Sequence, residues 1–308
     1  MRYLPMLCKK GNTDLLHERG YLFEPKLDGT RCIAEIDDEV NLFNRRGKNI
    51  KRRYPEICRD LERYRGFVFD GEIICYNERG VPDFYLLQKR EHIDSDFLVE
   101  LRAKMFPATY VIFDVLEMKG KSLIDLPIEE RKKILSENIT RSKHIDIIFF
   151  TNDGERLWNE IVKRGMEGVI AKRKESKYYP GQRRSEWLKI KNLKSADVVI
   201  VGYTHEKREI SSLGMALYDG PDLIYVGKVG TGFDEAIAEK LLKDFKIVNE
   251  APVRNVEDAP PNMIWIKPNI VVEVEYLEVT KRMELRGAVF RRLRSDKSPE
   301  ECTIDQVL

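Results

Sequence analysis

At 308 residues the chain is longer than a usual single domain, so it has enough material for two separate cores. Hydrophobic residues make up 42% and charged residues 34% of it, which excludes a disordered polymer and implies a heavily charged surface. Lys and Arg total 54 against 52 Asp and Glu, so the net +2 decides nothing about a polyanionic partner until the charges are located along the chain. The five cysteines, Cys8, Cys32, Cys58, Cys75 and Cys302, form an odd set without a C-x-x-C pair. That pattern fits free thiols in a reducing compartment better than a disulfide framework or a zinc site. The opening MRYLPMLCKK lacks a signal-peptide apolar core, and runs such as VVIV at 198–201 are too short to span a bilayer. The expectation is a cytoplasmic protein without a membrane partner.

In chain order, β-rich runs appear at FEPK into TRCIAEI (23–36), VNLFNR (40–45), FVFDGEIICY (67–76) and TYVIFDVLEM (109–118). A helix is expected over 127–137, where Pro127 stands near the start and Ile128, Ile134 and Leu135 supply an apolar face. Another is expected over 154–164, ending at Gly165, before the strand GVIAKR at 168–173. Alternating strands and helices of this kind read as α+β. After the lysine-rich LKIKNLKS a linker is expected near 191–196, dividing the chain into 1–193 and 194–308. The second part shows glycine-separated strands, LGMALYDG and DLIYVGKVG, with Asp219-Gly220 as a hairpin turn. A helix over 234–247 and an alternating strand over 270–279 complete it. Five or so strands with one helix suit a small barrel such as an OB-fold.

The stretch EPKLDGTR at 24–31 offers a lysine flanked by carboxylates and followed by Gly and Arg. Alone, it also fits an exposed turn after a strand. NRRG at 44–47, FDGE at 69–72, IFDV at 112–115, EGVIAKR at 167–173 and WLKIK at 187–191 follow in order, with charges on strands where core residues are expected. Together the series resembles the motifs of covalent nucleotidyltransferases, the ATP-dependent ligases and mRNA capping enzymes. The residue types suit that chemistry. A lysine amine attacks phosphorus only when neutral, against a reference pKa of about 10.4, so it needs cationic neighbours or burial. Neutralising a triphosphate needs carboxylates for metal and Lys or Arg for phosphate oxygens.

The resemblance implies an adenylation domain of packed antiparallel sheets and helices, followed by an OB-fold β-barrel. It makes Lys26 the nucleophile that becomes AMP-lysine and Glu24 a reader of adenine. Arg31 and Arg45 would contact ribose or phosphates, Glu72 the ribose or metal, and Phe113 would stack on the base. Glu167 would bind metal, Mg2+ or Mn2+, while Lys189 and Lys191 would hold the α-phosphate. Arg183 also matches a nucleotide contact, with Arg184 beside it. R-S-D-K at 294–297 resembles the terminal ligase motif R-x-D-K, which places Arg294, Asp296 and Lys297 on the ATP phosphates.

The stretches 198–207, 223–233 and 285–297 resemble the ligase domain of bacterial ligase D proteins of non-homologous end joining, although Gly287-Ala288 stands where a His-Pro is associated with those domains. Lys26 lies near the start of the sequence, which implies a minimal, prokaryotic-type ligase without a preceding helical DNA-binding domain. Nicked or broken duplex DNA is the implied substrate, Ku and a primase-polymerase the implied partners, and a monomer the implied state. An RNA ligase or a GTP-using capping enzyme is the alternative within the same superfamily. Residues 163–194 hold eleven Lys or Arg against three Glu, and residues 44–53 hold six cations and no acid, stretches suited to tracking phosphates.

Overall fold

The computed structural model describes residues 1–91, 93, 95–206 and 209–308, so Lys207, at the end of the stretch 198–207, lies outside the described residues. The chain divides into two compact units, Met1–Asn192 and Leu193–Leu308. The first contains strands β1 (Leu7–Lys10), β2 (Tyr21–Pro25), β3 (Thr30–Ile36), β4 (Val40–Asn44), β5 (Phe67–Cys75), β6 (Ala108–Met118), β7 (Lys121–Ser122), β8 (Ile145–Ile147), β9 (Gly168–Arg173) and β10 (Arg183–Lys191). Its helices are α1 (Pro55–Leu61), α2 (Phe84–Gln88), α3 (Asp96–Met105), α4 (Ile128–Asn138) and α5 (Gly154–Lys163). One sheet has the order β1-β10-β9-β2; the other runs β4-β3-β5-β6-β7, with β8 joined to β6.

The period of two along each strand sorts the side chains between cores. In β5, Phe67, Phe69, Ile73 and Cys75 enter one hydrophobic cluster with Cys32, Ala34, Tyr110 and Ile112. The intervening Val68 and Ile74 enter another with Ile33, Val111, Phe113, Leu22 and Trp187, which come from both sheets. Both faces of β5 are therefore covered, which is why FVFDGEIIC reads as a nearly continuous apolar run. On the far side of the smaller sheet, α5 packs Leu157 and Ile161 against Phe23, Val169, Ala171 and Ile190. The Asp153 carboxylate caps α5 by accepting from the Arg156 N–H at 2.9 Å, and Gly165 at φ +63° follows its end.

The second unit contains β11 (Lys194–Thr204), β12 (Ser212–Asp219), β13 (Asp222–Val229), α6 (Glu235–Asp244), β14 (Ile264–Tyr276), β15 (Glu278–Val279), β16 (Leu285–Arg286) and β17 (Val289–Leu293). Its main sheet has the order β13-β12-β11-β14-β17, antiparallel throughout, around a core that includes Val199, Val201, Leu213, Val226, Val272 and Phe290. Gly220 at φ +59° makes the turn between β12 and β13.

Several expectations shift. Only Asn192 and Leu193 of the anticipated 191–196 linker lie outside strands, because Lys191 pairs with Gly168 and Lys194 with Tyr276. The strand expected over 270–279 begins at Ile264 and breaks after Tyr276. The short helices α1 to α3 were not anticipated. α3 leaves Phe97, Leu98, Leu101 and Met105 exposed, so its apolar positions do not trace one buried face. No described helix is long and apolar enough to cross a membrane.

Gly168 fixes the position of Lys26: its carbonyl accepts the Lys26 N–H at 2.8 Å, and its own φ is +147°. A Cβ there would stand 2.1 Å from the Ile190 carbonyl oxygen of the paired strand, a contact that only displacement of backbone can relieve. Gly168→Ala is expected to lower the melting temperature of the first unit by roughly 4–8 °C, equivalent to about 2 kcal/mol, as read by differential scanning calorimetry. An unchanged thermogram would contradict this account of the glycine.

Candidate active site

The inward faces of the two sheets in residues 1–192 enclose a cavity of about 230 Å³. Glu24, Lys26, Arg31, Arg45, Glu72, Phe113, Arg183 and Lys189 line it, together with Lys172 and Trp187. Lys26 follows directly on β2, and its Nζ lies 2.5 Å from Glu167 Oε2. Lys191 approaches Glu167 Oε1 at 4.0 Å from the end of β10. Lys189, one inward position before it, has its pKa lowered, first by desolvation and then by Lys191, Lys26 and Arg183. Several cations are thus concentrated around the nucleophile candidate, with Glu167 as their common counter-charge.

At the other end, Glu24 is 2% exposed. Its Oε2 lies 2.7 Å from Lys172 Nζ and its Oε1 2.5 Å from Lys132 Nζ. Both contacts have ion-pair distances, so Glu24 is held between two lysines, although Glu24 Oε1 and Lys172 Nζ, both buried, make no aligned hydrogen bond. Phe113 meets the Trp187 ring edge-on at a centroid distance of 6.5 Å. Lys172 Nζ stands 4.1 Å from the Trp187 centroid and 4.4 Å from that of Phe113.

Arg31 is held by Asp70, to which its Nε and Nη2 each donate at 2.6 Å, and its guanidinium carbon lies 4.4 Å from the Phe113 centroid. The Tyr178 hydroxyl donates to the same carboxylate at 2.6 Å. Arg183 donates from Nη1 to the Cys8 carbonyl at 2.6 Å, whereas Arg184 turns to Glu186 and the Tyr179 ring. Arg45 is exposed on the turn after β4. Asp70, Lys132 and Lys172 are the main additions to the residues read from sequence. Asp70 and Lys172 sit inside the recognised segments FDGE and EGVIAKR. Lys132 belongs to α4, which carries no such segment.

In the second unit, Arg294 Nη1 donates to both oxygens of Asp197 at 2.8 and 2.9 Å, and Lys297 Nζ donates to Asp197 Oδ2 at 2.8 Å. Asp296 also accepts from Arg294, which pulls its carboxyl down to about 2. Asp197, another residue not anticipated from the sequence, is thus the counter-charge around which Arg294 and Lys297 gather.

The basic run 163–194 is less uniform than its sequence sum. Arg164, Lys172, Lys174, Lys177, Arg184 and Lys191 pair with Glu160, Glu24, Glu129, Asp125, Glu186 and Glu167. Lys51, Arg52 and Arg53 of the other run likewise pair with Glu39, Asp96 and Glu91.

Residues 5–191 match the family model described as ATP dependent DNA ligase domain, and residues 206–297 match ATP dependent DNA ligase C terminal region. The chain belongs to the ATP-dependent DNA ligase family. It is 31% identical over 313 residues to the multifunctional non-homologous end joining protein LigD of Mycolicibacterium smegmatis, covering 97% of this chain and 39% of that protein. It is 33% identical over 336 residues to a DNA ligase of Thermococcus fumicolans, covering 98% of this chain and 58% of that protein. This ligase-family chain therefore spans between about two fifths and three fifths of those relatives. A solved mycobacterial DNA ligase D complexed with ATP and MES superposes with a TM-score of 0.57 at 30% identity over 98% of each chain. The fold is the family's nucleotidyltransferase domain followed by an OB-fold domain.

Within this ligase fold, Glu72 faces Arg31 across the β3–β5 pair. Desolvation pushes its carboxyl up to about 8, partly opposed by Arg31 and Lys26 and reinforced by Asp70 and Glu167. The folded chain therefore binds this proton more tightly than the unfolded chain, whose ordinary value is 4.5. The stability it contributes is complete below the unfolded value and is lost as pH rises through the folded one. Glu72→Gln should leave the melting temperature of the ligand-free protein little changed at acidic pH and raise it relative to wild type above pH ~8. Melting curves that run parallel for the two proteins across this range would show that the carboxyl is not held protonated.

Proposed function

We propose that the chain is a DNA ligase that seals 5′-phosphate/3′-hydroxyl nicks and breaks through AMP carried on Lys26. The observation that carries this reading is the placing of Lys26 at a cavity that Glu24, Lys172, Phe113 and Trp187 line together with the cations Arg31, Arg45, Arg183 and Lys189. Neutral Nζ forms a bond to the α-phosphorus of ATP, the bond to pyrophosphate breaks, and the Nζ proton is released. The AMP then passes to a DNA 5′-phosphate, forming P–O–P as P–N breaks. Attack of the 3′-hydroxyl on that phosphorus finally expels AMP.

ATP fits this lining better than GTP. Adenine presents a 6-amino donor beside an N1 acceptor, which match a carboxylate acceptor at Glu24 and an ammonium donor at Lys172, both of which line the cavity. Guanine reverses both. This favours the ligase reading over a GTP-using capping enzyme, while Arg31, Arg45, Arg183, Lys189 and Lys191 suit ribose and phosphates and Phe113 the base.

The family's divalent metal, Mg2+ or Mn2+, would be held by Glu72, which lines the cavity with Lys26, and by Glu167, which pairs with Lys26. No cluster of three His, Cys, Asp or Glu side chains able to hold a metal is found among the described residues, so phosphate oxygens would complete the coordination, as is usual for magnesium. Such a cation supplies charge neutralisation of the triphosphate. Glu167 pairs with Lys26, so its engagement by a cation would release the lysine's tip from that contact.

A role in end joining is supported by the name of the M. smegmatis relative, with Ku and a primase-polymerase as partners and broken duplex DNA as substrate. Reconstituted joining of linear DNA, with and without Ku, tests that role; a lack of any Ku effect would argue for nick sealing alone.

Lys26→Ala is expected to abolish attachment of labelled AMP to the protein, and Lys26→Arg to do the same, because guanidinium stays protonated. Undiminished labelling in either variant would remove Lys26 as nucleophile. For the second unit, Arg294 and Lys297 are proposed to orient pyrophosphate as the leaving group, with Asp296 positioning Arg294. Arg294→Ala and Asp296→Ala should then slow adenylylation of Lys26 by at least tenfold more than closure of a pre-adenylylated nick, since pyrophosphate leaves only in the first step (~1.4 kcal/mol per tenfold). Equal losses on the two substrates would assign these residues to folding or DNA binding.

A further inference from the structure

Lys132 reaches Glu24 and Phe113, two residues that line the cavity, from α4, an element without recognised motif residues. It is 3% exposed. Its Nζ donates to the Phe113 carbonyl at 2.7 Å and lies 2.5 Å from Glu24 Oε1. The carboxylate of Glu24 is consequently flanked by a lysine at each oxygen, Lys132 from behind and Lys172 from the cavity side. Arg131, the preceding residue, fastens α4 to β6 by two hydrogen bonds to Asp114 at 2.8 and 2.9 Å, so Lys132 is presented from a fixed base. Packing alone would favour an apolar side chain here. Burial disfavours the lysine's charge and pushes its pKa down to about 8, in spite of Glu24. A group kept under that cost is expected to have work that Met or Leu could not do.

We propose that Lys132 is a positioning residue that sets the base selectivity of the nucleotide site, by holding Glu24 as a fixed, acceptor-only carboxylate tied to the strand that carries Phe113. The inference rests on the reading of Glu24 as the group that meets the 6-position of adenine. A carboxylate that only accepts pairs with a 6-amino group. Against the 6-oxo group of hypoxanthine, two acceptors confront each other, a mismatch that sites built on hydrogen bonds reject strongly. Without Lys132, Glu24 keeps only the contact with Lys172 and can turn relative to the base. Through its hydrogen bond to the Phe113 carbonyl, Lys132 also couples the carboxylate to the ring beside it, so edge and face of the base are located together.

The test is the rate of lysyl-nucleotide formation, as kcat/KM for ATP and for ITP, in wild type, Lys132→Met, Lys132→Arg and Glu24→Gln. The ATP/ITP ratio does not depend on how much of a preparation is folded, so a purely structural role leaves it unchanged. Lys132→Met is expected to lower the ratio by roughly tenfold, the scale of one charge-assisted hydrogen bond. Lys132→Arg should recover most of it. A wild-type ratio in Lys132→Met, with the ratio lost in Glu24→Gln, overturns the role of Lys132 and leaves the reading of Glu24 standing. A wild-type ratio in both overturns the reading of Glu24 itself. If Lys132→Met yields no soluble protein, Lys132→Gln keeps a donor for the Phe113 carbonyl without the charge; the same fall is expected, and an unchanged ratio overturns the proposal.

Discussion

Charge that is brought between two β-sheets has to be matched there, and the first unit is organised by that requirement. The strand period turns Glu24, Lys172 and Lys189 inward from one sheet and Arg31, Asp70 and Glu72 inward from the other. Each buried member of the set has an opposite charge in reach: Asp70 has Arg31, Glu24 has Lys172 and Lys132, and Asp114 has Arg131. An unpaired charge in such a place would be costly, and the pairs that prevent it lie within one sheet or between a sheet and α4.

The pairing is uneven, and the unevenness is informative. Arg31 and Asp70 form a closed bidentate pair, further tied down by Tyr178. Glu24 and Lys172 are close but poorly aligned, and Lys132 holds the other oxygen of the same carboxylate. The first arrangement ties two strands of one sheet; the second joins a strand pair to α4. In the OB-fold unit, Asp197 does for Arg294 and Lys297 what Asp70 does for Arg31, holding cations at defined positions without using all their donors.

Much of this was legible in the sequence because the functional segments are short strands with charges at alternate positions. GVIAKR forms the strand Gly168–Arg173, and TRCIAEI the strand Thr30–Ile36. Lys26, Glu24, Arg31, Glu72, Phe113 and Lys189 meet at one cavity. The signal fails where partners are distant in sequence. Lys132 is one charge among several on a polar-looking helix, and only the fold brings it to Glu24. Asp197 lies in an apolar strand a hundred residues before Lys297. The counter-ions of the basic runs were equally out of sight, since they come from α4, from the loop before it and from the start of α3. The short helices escaped because α1 and α2 are too brief to show a period and α3 buries only Val99 and Ala103 of its length.

Glu167 directly precedes the glycine whose carbonyl receives the Lys26 N–H, and its own side chain meets the same lysine's tip. One two-residue piece of backbone thereby grips both ends of Lys26. Because that piece begins β9, which is paired with β10 on one side and β2 on the other, Lys26 takes its position from the sheet more than from the loop that follows it. Any displacement of 167–168 would carry the lysine's backbone and its tip together.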